Sequence, residues 1–336
     1  MSNEKLALFG GPKSISQEFK IYNPYGKEEQ RAAQAVLESG VLSQFLGAWH
    51  EDFYGGPQVK AFERAWEAYF KVPHAVSVNS ATSGLIAAVG AVGVEPGDEV
   101  IVTPWTMSAT ATAVLVWNAI PVFADIDRRT FNLDPASIEK RITPRTRAIV
   151  VADIFGQSAD LDAIMRIAKT HGLKVIEDAA QAPGAVNRGR FVGTIADVGV
   201  FSLNYHKHIH TGEGGVCVTH DPKLAERLQL IRNHAESVVR GKGVTDLSNM
   251  IGFNFRLGEI EAAMGIEQLK KLGALVDAKT RAGTRLSGAL MGLEGLTAPF
   301  VAPECTHVYY CYPLLLDTSK LGVRRDQILA ALAAEG

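Results

Sequence analysis

Between residues 75 and 219 short β-branched runs alternate with longer helical stretches, and this alternation limits the fold more than any other feature of the chain. The strand candidates are Ala75–Val78, Glu99–Val102, Ile120–Phe123, Ala148–Val151, Lys174–Ile176, Val198–Phe201 and Gly215–Thr219. Ser83–Val94 and Ser108–Trp117 read as apolar, buried helices, and Pro135–Arg141 and Leu161–His171 as amphipathic ones. Strands joined through helices pair in parallel, and such a sheet is covered on both faces. The expectation is an α/β fold with a mostly parallel seven-stranded sheet between helices.

On either side of this block the pattern changes. Lys27–Glu38 reads as an amphipathic helix, Ser39–Pro57 as a Gly/Ser-containing segment, and Gln58–Phe70 as a helix with Val59, Phe62, Trp66 and Phe70 on one face. Pro222–His234 and Arg256–Leu272 read as helices, Val308–Leu316 as a strand and Arg325–Glu335 as a helix. With 336 residues and 47% apolar side chains the chain can fill two cores. The expected domains are residues 1–250, holding the sheet, and residues 251–336, a smaller α+β domain.

Charge and composition exclude several functions. Lys plus Arg total 34 against 36 Asp plus Glu, a net charge of −2 with no basic block, which argues against a nucleic-acid partner. No run of about 18 apolar residues exists, so no membrane span is expected. The start, MSNEKLALFGG, does not read as a signal peptide. Cys217, Cys305 and Cys311 form neither a disulfide framework nor a metal-ligand spacing, which fits a cytoplasmic location.

Four segments bear chemistry. Val78-Asn79-Ser80-Ala81-Thr82-Ser83-Gly84 places small hydroxyl residues at a strand-to-helix turn, where free N–H groups and the helix dipole suit a phosphate; taken alone, these residues read first as plain N-caps. Glu177-Asp178-Ala179-Ala180-Gln181 follows a parallel strand at the edge where α/β sheets bind ligands, so Asp178 is either a partner for a cationic ring or a structural cap. Lys207 comes a few residues after the run Phe201-Ser202 and before Gly212-Glu213-Gly214-Gly215; a lysine in such a place is a solvated charge or a Schiff-base amine. Asn254 and Arg256 set an amide beside a guanidinium ahead of a helix, or serve only their loop.

In order and spacing these segments resemble the DegT/DnrJ/EryC1/StrS family of pyridoxal-phosphate-dependent sugar aminotransferases, of fold type I, from about Asn23 to the end of the chain. The resemblance is most specific in Glu-Asp-Ala-Ala-Gln-Ala, in Lys207 five positions after Ser202, and in Gly-Glu-Gly-Gly. It implies that Lys207 holds the cofactor and moves the proton, and that Asp178 faces the pyridine nitrogen. Gln181 would lie beside the ring and Thr82, Ser83 and Ser202 on the phosphate, with Asn254 reaching the phosphate of a neighbouring subunit in a homodimer. Glutamate is the implied donor and a nucleotide-linked keto sugar the implied acceptor, for surface polysaccharide or antibiotic sugars. A keto-cyclitol aminotransferase, a sugar dehydratase of the same fold and a non-catalytic regulatory relative are the alternatives. The dehydratase branch carries histidine where this chain has Lys207, which favours transamination.

The chain also departs from the family pattern. Met107 stands where relatives stack an aromatic residue on the ring, and it is expected to cover the cofactor in preference to Trp105. Asp153 stands where many relatives have histidine. His206, His208 and His210 would share one face of an extended segment, but without further ligands at metal spacing no metal is expected. Trp49, in the 39–57 segment, and His307 are the candidates for contact with substrate. Relatives continue beyond the last helix, so the small domain is expected to be incomplete.

Overall fold

The computed structural model describes residues 5–19 and 22–336. Two compact units divide the chain: Tyr25–Arg281 with Phe300–Cys311, and Met1–Pro24 with Ala282–Pro299 and Tyr312–Gly336.

The first unit opens with α1 (Lys27–Ser39) and α2 (Pro57–Phe70). The β/α block is β1 (His74–Val78), α3 (Ala81–Ala91), β2 (Glu99–Val102), α4 (Ala109–Leu115), β3 (Ile120–Phe123), α5 (Pro135–Glu139), β4 (Thr146–Ala152), α6 (Leu161–His171) and β5 (Lys174–Asp178). A small antiparallel hairpin, β6 (Val186–Asn187) and β7 (Arg190–Phe191), precedes β8 (Val198–Ser202), β9 (Gly215–Thr219) and α7 (Pro222–Arg232). Then come α8 (Val239–Lys242) and the long α9 (Glu259–Leu290).

The seven-stranded sheet runs β1-β9-β8-β5-β4-β2-β3. All pairs are parallel except the two made by β9, which lies antiparallel between β1 and β8. Because β9 alone is reversed, its first residue reaches the edge where the other strands end: Gly215 pairs with both Val78 and Ser202. Alternate residues face opposite sides, as a pleated strand requires. Val76, Val78, Val150 and Val200 pack with Leu85, Ala88 and Trp117 beneath α3, α4 and α7. On the other side, Ala75 and Phe201 pack with Phe62, Trp66 and Leu272 of α2 and α9, while Ile149 and Val151 pack with Leu161 and Ile164 of α6.

Helix α2 shows how sequence writes such an element. Pro57 fits the first helical position, and Val59, Phe62, Trp66 and Phe70 recur at helical spacing on the buried face. The Glu259 carboxylate accepts the backbone N–H groups of Gln58 (2.7 Å) and Val59 (3.3 Å), so the start of α9 caps the start of α2.

The units do not divide at residue 250. Residues 251–281 belong with the sheet because Phe253, Phe255, Leu257, Ala262 and Leu269 pack into its two cores. Helix α9 runs past the expected stop at Leu272 to Leu290. The second unit contains β10 (Leu296–Thr297) paired antiparallel with β11 (Leu315–Leu316), then α10 (Thr318–Leu321) and α11 (Arg325–Glu335). The strand expected over 308–316 shrinks to β11, because residues 307–311 instead follow the 155–157 turn of the first unit. Among the described residues no helix is long and apolar enough to cross a membrane.

Candidate active site

The C-terminal edge of the parallel strands opens on a cavity of about 270 Å³. Ends of β1, β2, β4, β5 and β8 meet there, as expected where parallel strands leave their crevice.

On one side is a cradle for an anion. Ser80 caps α3: its Oγ accepts the N–H of Ser83 at 3.1 Å and lies 3.0 Å from the Ser83 hydroxyl. Ser80, Ala81, Thr82 and Ser202 line the cavity at this helix start. A Cβ on Gly215 would sit 2.8 Å from the Ala81 nitrogen, so only glycine lets β9 come so close to the start of α3.

At the floor, Asp178 ends β5, and 7% of it is exposed. Its Oδ2 accepts from Thr110 Oγ1 (2.9 Å) and its Oδ1 from the Ala180 N–H (3.3 Å). Burial pushes its carboxyl upward, while Thr110, Ala180 and the positive charge of Lys207 pull the other way. The Asp178 carboxylate therefore has hydrogen bonds but, among the described residues, no bonded cation.

Lys207 sits in the turn after β8, with its N–H on the Asn204 carbonyl (2.9 Å). Its ammonium lies 4.3 Å from the centroid of the Tyr310 ring. Burial lowers its pKa, opposed by Asp178 and the Cys311 thiol. A lysine with a lowered pKa is more often the neutral nucleophile at working pH. Gln181 accepts the Phe155 N–H on Oε1 at 2.7 Å, which leaves its NH₂ group to donate.

Of the residues expected at the site, Thr82, Met107, Asp178, Gln181, Ser202 and Lys207 line this one cavity. Met107 is 69% exposed, while Trp105 lies outside the cavity and stacks on Phe131 with centroids 6.1 Å apart. Four others are not brought there. Ser83 is turned to the Ser80 cap. Asn254 accepts from Arg256 Nε at 2.7 Å, outside this chain's own cavity. Trp49 packs edge-on against Phe53 and Tyr54. His307 is buried, ring to ring with Tyr309 at 4.1 Å.

The three histidines around Lys207 part company, because the segment is a turn and not a strand. His206 lines the cavity, His208 Nε2 lies 2.8 Å from the Val308 carbonyl, and His210 Nδ1 lies 3.1 Å from the Tyr25 hydroxyl. Burial holds His208 and His307 down to about 4. Their unfolded values lie higher, so the unfolded chain takes up protons first. Stability present above about pH 6.5 should drain away as pH falls toward 4, by up to roughly 3 kcal/mol per histidine. Urea midpoints across that range measure it; an H307F variant should lose less, and an equal loss would clear His307 of the effect.

Asp153 is also buried at the cavity wall. Its Oδ1 accepts the Ala159 N–H at 2.9 Å and its Oδ2 has no partner. Neighbouring Glu177 is held by the N–H groups of Gly193 (2.5 Å), Ile195 (3.1 Å) and Ala196 (3.2 Å). Burial, then the charge of Glu177, pushes the Asp153 carboxyl well up and favours its protonated form. A raised carboxyl withdraws stability as pH climbs through its folded value. Asp153→Asn mimics the neutral acid, so its urea midpoint should fall less than that of the wild type between pH 5 and 8. Parallel curves would show that Asp153 is ionised throughout.

Tyr310 and Thr110 line or serve the site without having been expected there, whereas Ser80 falls in the expected helix-start segment and caps the helix. Thr110 lies at the start of α4, and its hydroxyl is 3.0 Å from that of Thr106 in the loop before the helix. Tyr310 offered no local signal.

Residues 25–336 match the family model for the DegT/DnrJ/EryC1/StrS aminotransferase family. The chain belongs to that family. It is a pyridoxal-phosphate-dependent aminotransferase. It is 37% identical over 316 residues to the spore coat polysaccharide biosynthesis protein SpsC of Bacillus subtilis strain 168, covering 92% of this chain and 78% of that one. Against the GDP-perosamine synthase of Caulobacter vibrioides the identity is 39%, covering 84% and 75%. Its fold matches S. venezuelae DesV, solved in complex with a ketimine intermediate, at a TM-score of 0.80 and 35% identity, over 92% of this chain and 77% of that one.

The residues present fit the family's cofactor. Pyridoxal phosphate presents an anion, a basic ring nitrogen and an aldehyde. Among the described residues, the cavity answers with a capped helix start, a buried carboxylate lacking a bonded cation, and a single lysine amine. The α/β fold with its mostly parallel sheet agrees with the family's fold.

Proposed function

We propose that this aminotransferase moves an amino group from glutamate to the keto carbon of a nucleotide-linked sugar, in a homodimer with shared sites. The observation that carries the reading is the meeting of Lys207, Asp178 and the Ser80–Thr82 helix start in one cavity. The relatives named for GDP-perosamine and for spore coat polysaccharide support the acceptor class.

In this reading Ser80, Thr82, Ser202 and the N–H groups of α3 hold the phosphate. Asp178, fixed by Thr110, keeps the ring nitrogen protonated. Gln181, whose amide NH₂ is left to donate, and Met107 line the cavity and would hold the ring there. The bound cofactor supplies an electron sink for the carbon that loses its proton. Lys207 would hold the cofactor, and its amine would take the proton and return it as general base and acid. Burial supports this role by keeping a larger share of its amine neutral.

Product analysis with glutamate and a panel of nucleotide-linked keto sugars tests the acceptor. Amine on the nucleotide sugars is the expected outcome; amine appearing only on a keto-inositol would transfer the reading to cyclitols. For the shared site, mixing inactive K207A chains with N254A chains should restore more activity than the two preparations sum to. No gain on mixing would remove Asn254 from the neighbour's site.

A further inference from the structure

One contact in the cavity has no part in the reading above. The ring of Tyr310 faces the Lys207 ammonium at 4.3 Å, within the range of a cation–π interaction. The ring also lies 6.0 Å from the His206 imidazole.

Tyr310 is placed by backbone. The Val308 N–H binds the Gly156 carbonyl at 2.7 Å, and the Cys311 N–H binds that of Phe155 at 3.3 Å. Gln157 and His307 add a bridge between the same two segments. Phe155 itself is held at φ 60° with its N–H on Gln181. Gly156 has φ +102°, and a Cβ there would come within 2.9 Å of the Tyr310 nitrogen. The 155–157 turn thus fixes where the ring of residue 310 begins, and Gln181 fixes the turn.

A lysine side chain has four rotatable carbons and gains nothing by staying in one rotamer unless something receives its charge. The Asp178 carboxylate acts on Lys207 through its charge, but its hydrogen bonds are to Thr110 and Ala180, and among the described residues no ion pair joins it to Lys207. We propose that Tyr310 is a positioning residue for Lys207, whose ring face holds the ε-ammonium inside the cavity whenever that amine is not bonded to the cofactor. A lysine that serves as general base and acid has to be found in place each time a proton moves. The catalytic meaning of the contact rests on Lys207 as the cofactor-bearing lysine; the contact does not.

The test reads the titration of Lys207 in the full chain freed of cofactor, by trace acetylation from pH 7 to 11 and quantification of the residue 207 peptide. Asp178, His206, His208 and Cys311 act on the same amine and are unchanged in every variant. A ring face that favours the ammonium raises the midpoint, so Tyr310→Leu should lower it by roughly half to one and a half pH units. Tyr310→Phe keeps the face and should keep the midpoint. Pentafluorophenylalanine at 310 keeps the shape but reverses the ring's polarity, and should fall with the leucine variant. If the leucine variant does not fold, the comparison of phenylalanine with its fluorinated form decides. Equal midpoints for those two, or a Tyr310→Phe shift as large as that of Tyr310→Leu, would overturn the proposal. Capture of pyridoxal phosphate by the wild type is measured separately: its failure sinks the reading of Lys207 as the cofactor lysine and leaves the titration standing.

Discussion

Lys207→Ala should abolish the visible absorption that a lysine-bonded cofactor gives the loaded protein, and lower kcat by about 10⁴-fold or more. Two losses combine in that variant. The covalent anchor disappears, and with it the only lysine amine among the described residues that line the cavity. The general base disappears too, and such groups alone contribute roughly 10²–10⁴-fold. Asp178, Thr82 and Ser202 remain, so the variant should still bind the cofactor noncovalently. Lys207→Arg is the matching control: the guanidinium stays charged and cannot act as nucleophile or base, so it should be as inactive as alanine. Absorbance spectra and single-turnover rates with glutamate measure both. A Lys207→Ala protein that turns over within tenfold of wild type would take the lysine out of the mechanism.

Glu63→Ala should be the most damaging change far from the chemistry. Arg232 is fully buried, and its Nη1 donates to Glu63 Oε1 at 2.6 Å and to the Ser77 carbonyl at 3.1 Å. The same Glu63 oxygen accepts the Ser77 N–H (2.9 Å) and its hydroxyl (2.8 Å). Nε and Nη2 of Arg232 have no hydrogen-bond partner, and its guanidinium lies 4.9 Å from the Phe45 ring centroid. Among the described residues Glu63 is therefore the one carboxylate paired with this charge. Its removal strands a buried cation and a strand N–H together, a loss of about 3–5 kcal/mol. Against a whole-domain stability of roughly 5–15 kcal/mol, the variant should be marginal at 37 °C. A Glu63→Leu/Arg232→Met double variant, which removes both charges, should regain most of the loss. Urea midpoints decide; a Glu63→Ala loss below about 1 kcal/mol would mean that the guanidinium had found another partner.

The contrast between what could and could not be read from sequence has a physical basis. The sheet was legible because strands buried on both faces must be β-branched and apolar: Val100-Ile101-Val102 and Ala148-Ile149-Val150-Val151 leave few other readings. The cavity's own elements were legible because each lies where a strand ends, at short range from its neighbours in sequence. Ser83 and Asn254 show the limit. A hydroxyl at a helix start can face a ligand or cap the helix, and the one-residue difference between Thr82 and Ser83 is set by the helix turn, not by composition. The α9 boundary failed at Gly273, a residue that cap rules would take as a stop, although nothing crowds it beyond a Tyr69 hydroxyl at 3.6 Å. Tyr310 was invisible for a different reason. It is brought to Lys207 from about a hundred residues away by the backbone pairing of 307–311 with 155–157, and no local pattern carries such a contact.

The reversed strand β9 also governs when the site can exist during synthesis. Strand β1 is an edge strand, and β9, about 140 residues further along, is the only strand among the described residues that hydrogen-bonds to it. Strands β2 to β5, with Asp178 at their end, can pair as they leave the ribosome. The Ser80–Thr82 turn cannot be set against Ser202 until residues 215–219 have emerged and threaded between β1 and β8. A nascent chain stopped before that point would hold the acid that meets the ring but no seat for the phosphate. Its capacity to retain cofactor would then arrive in one step, with the closing of the sheet.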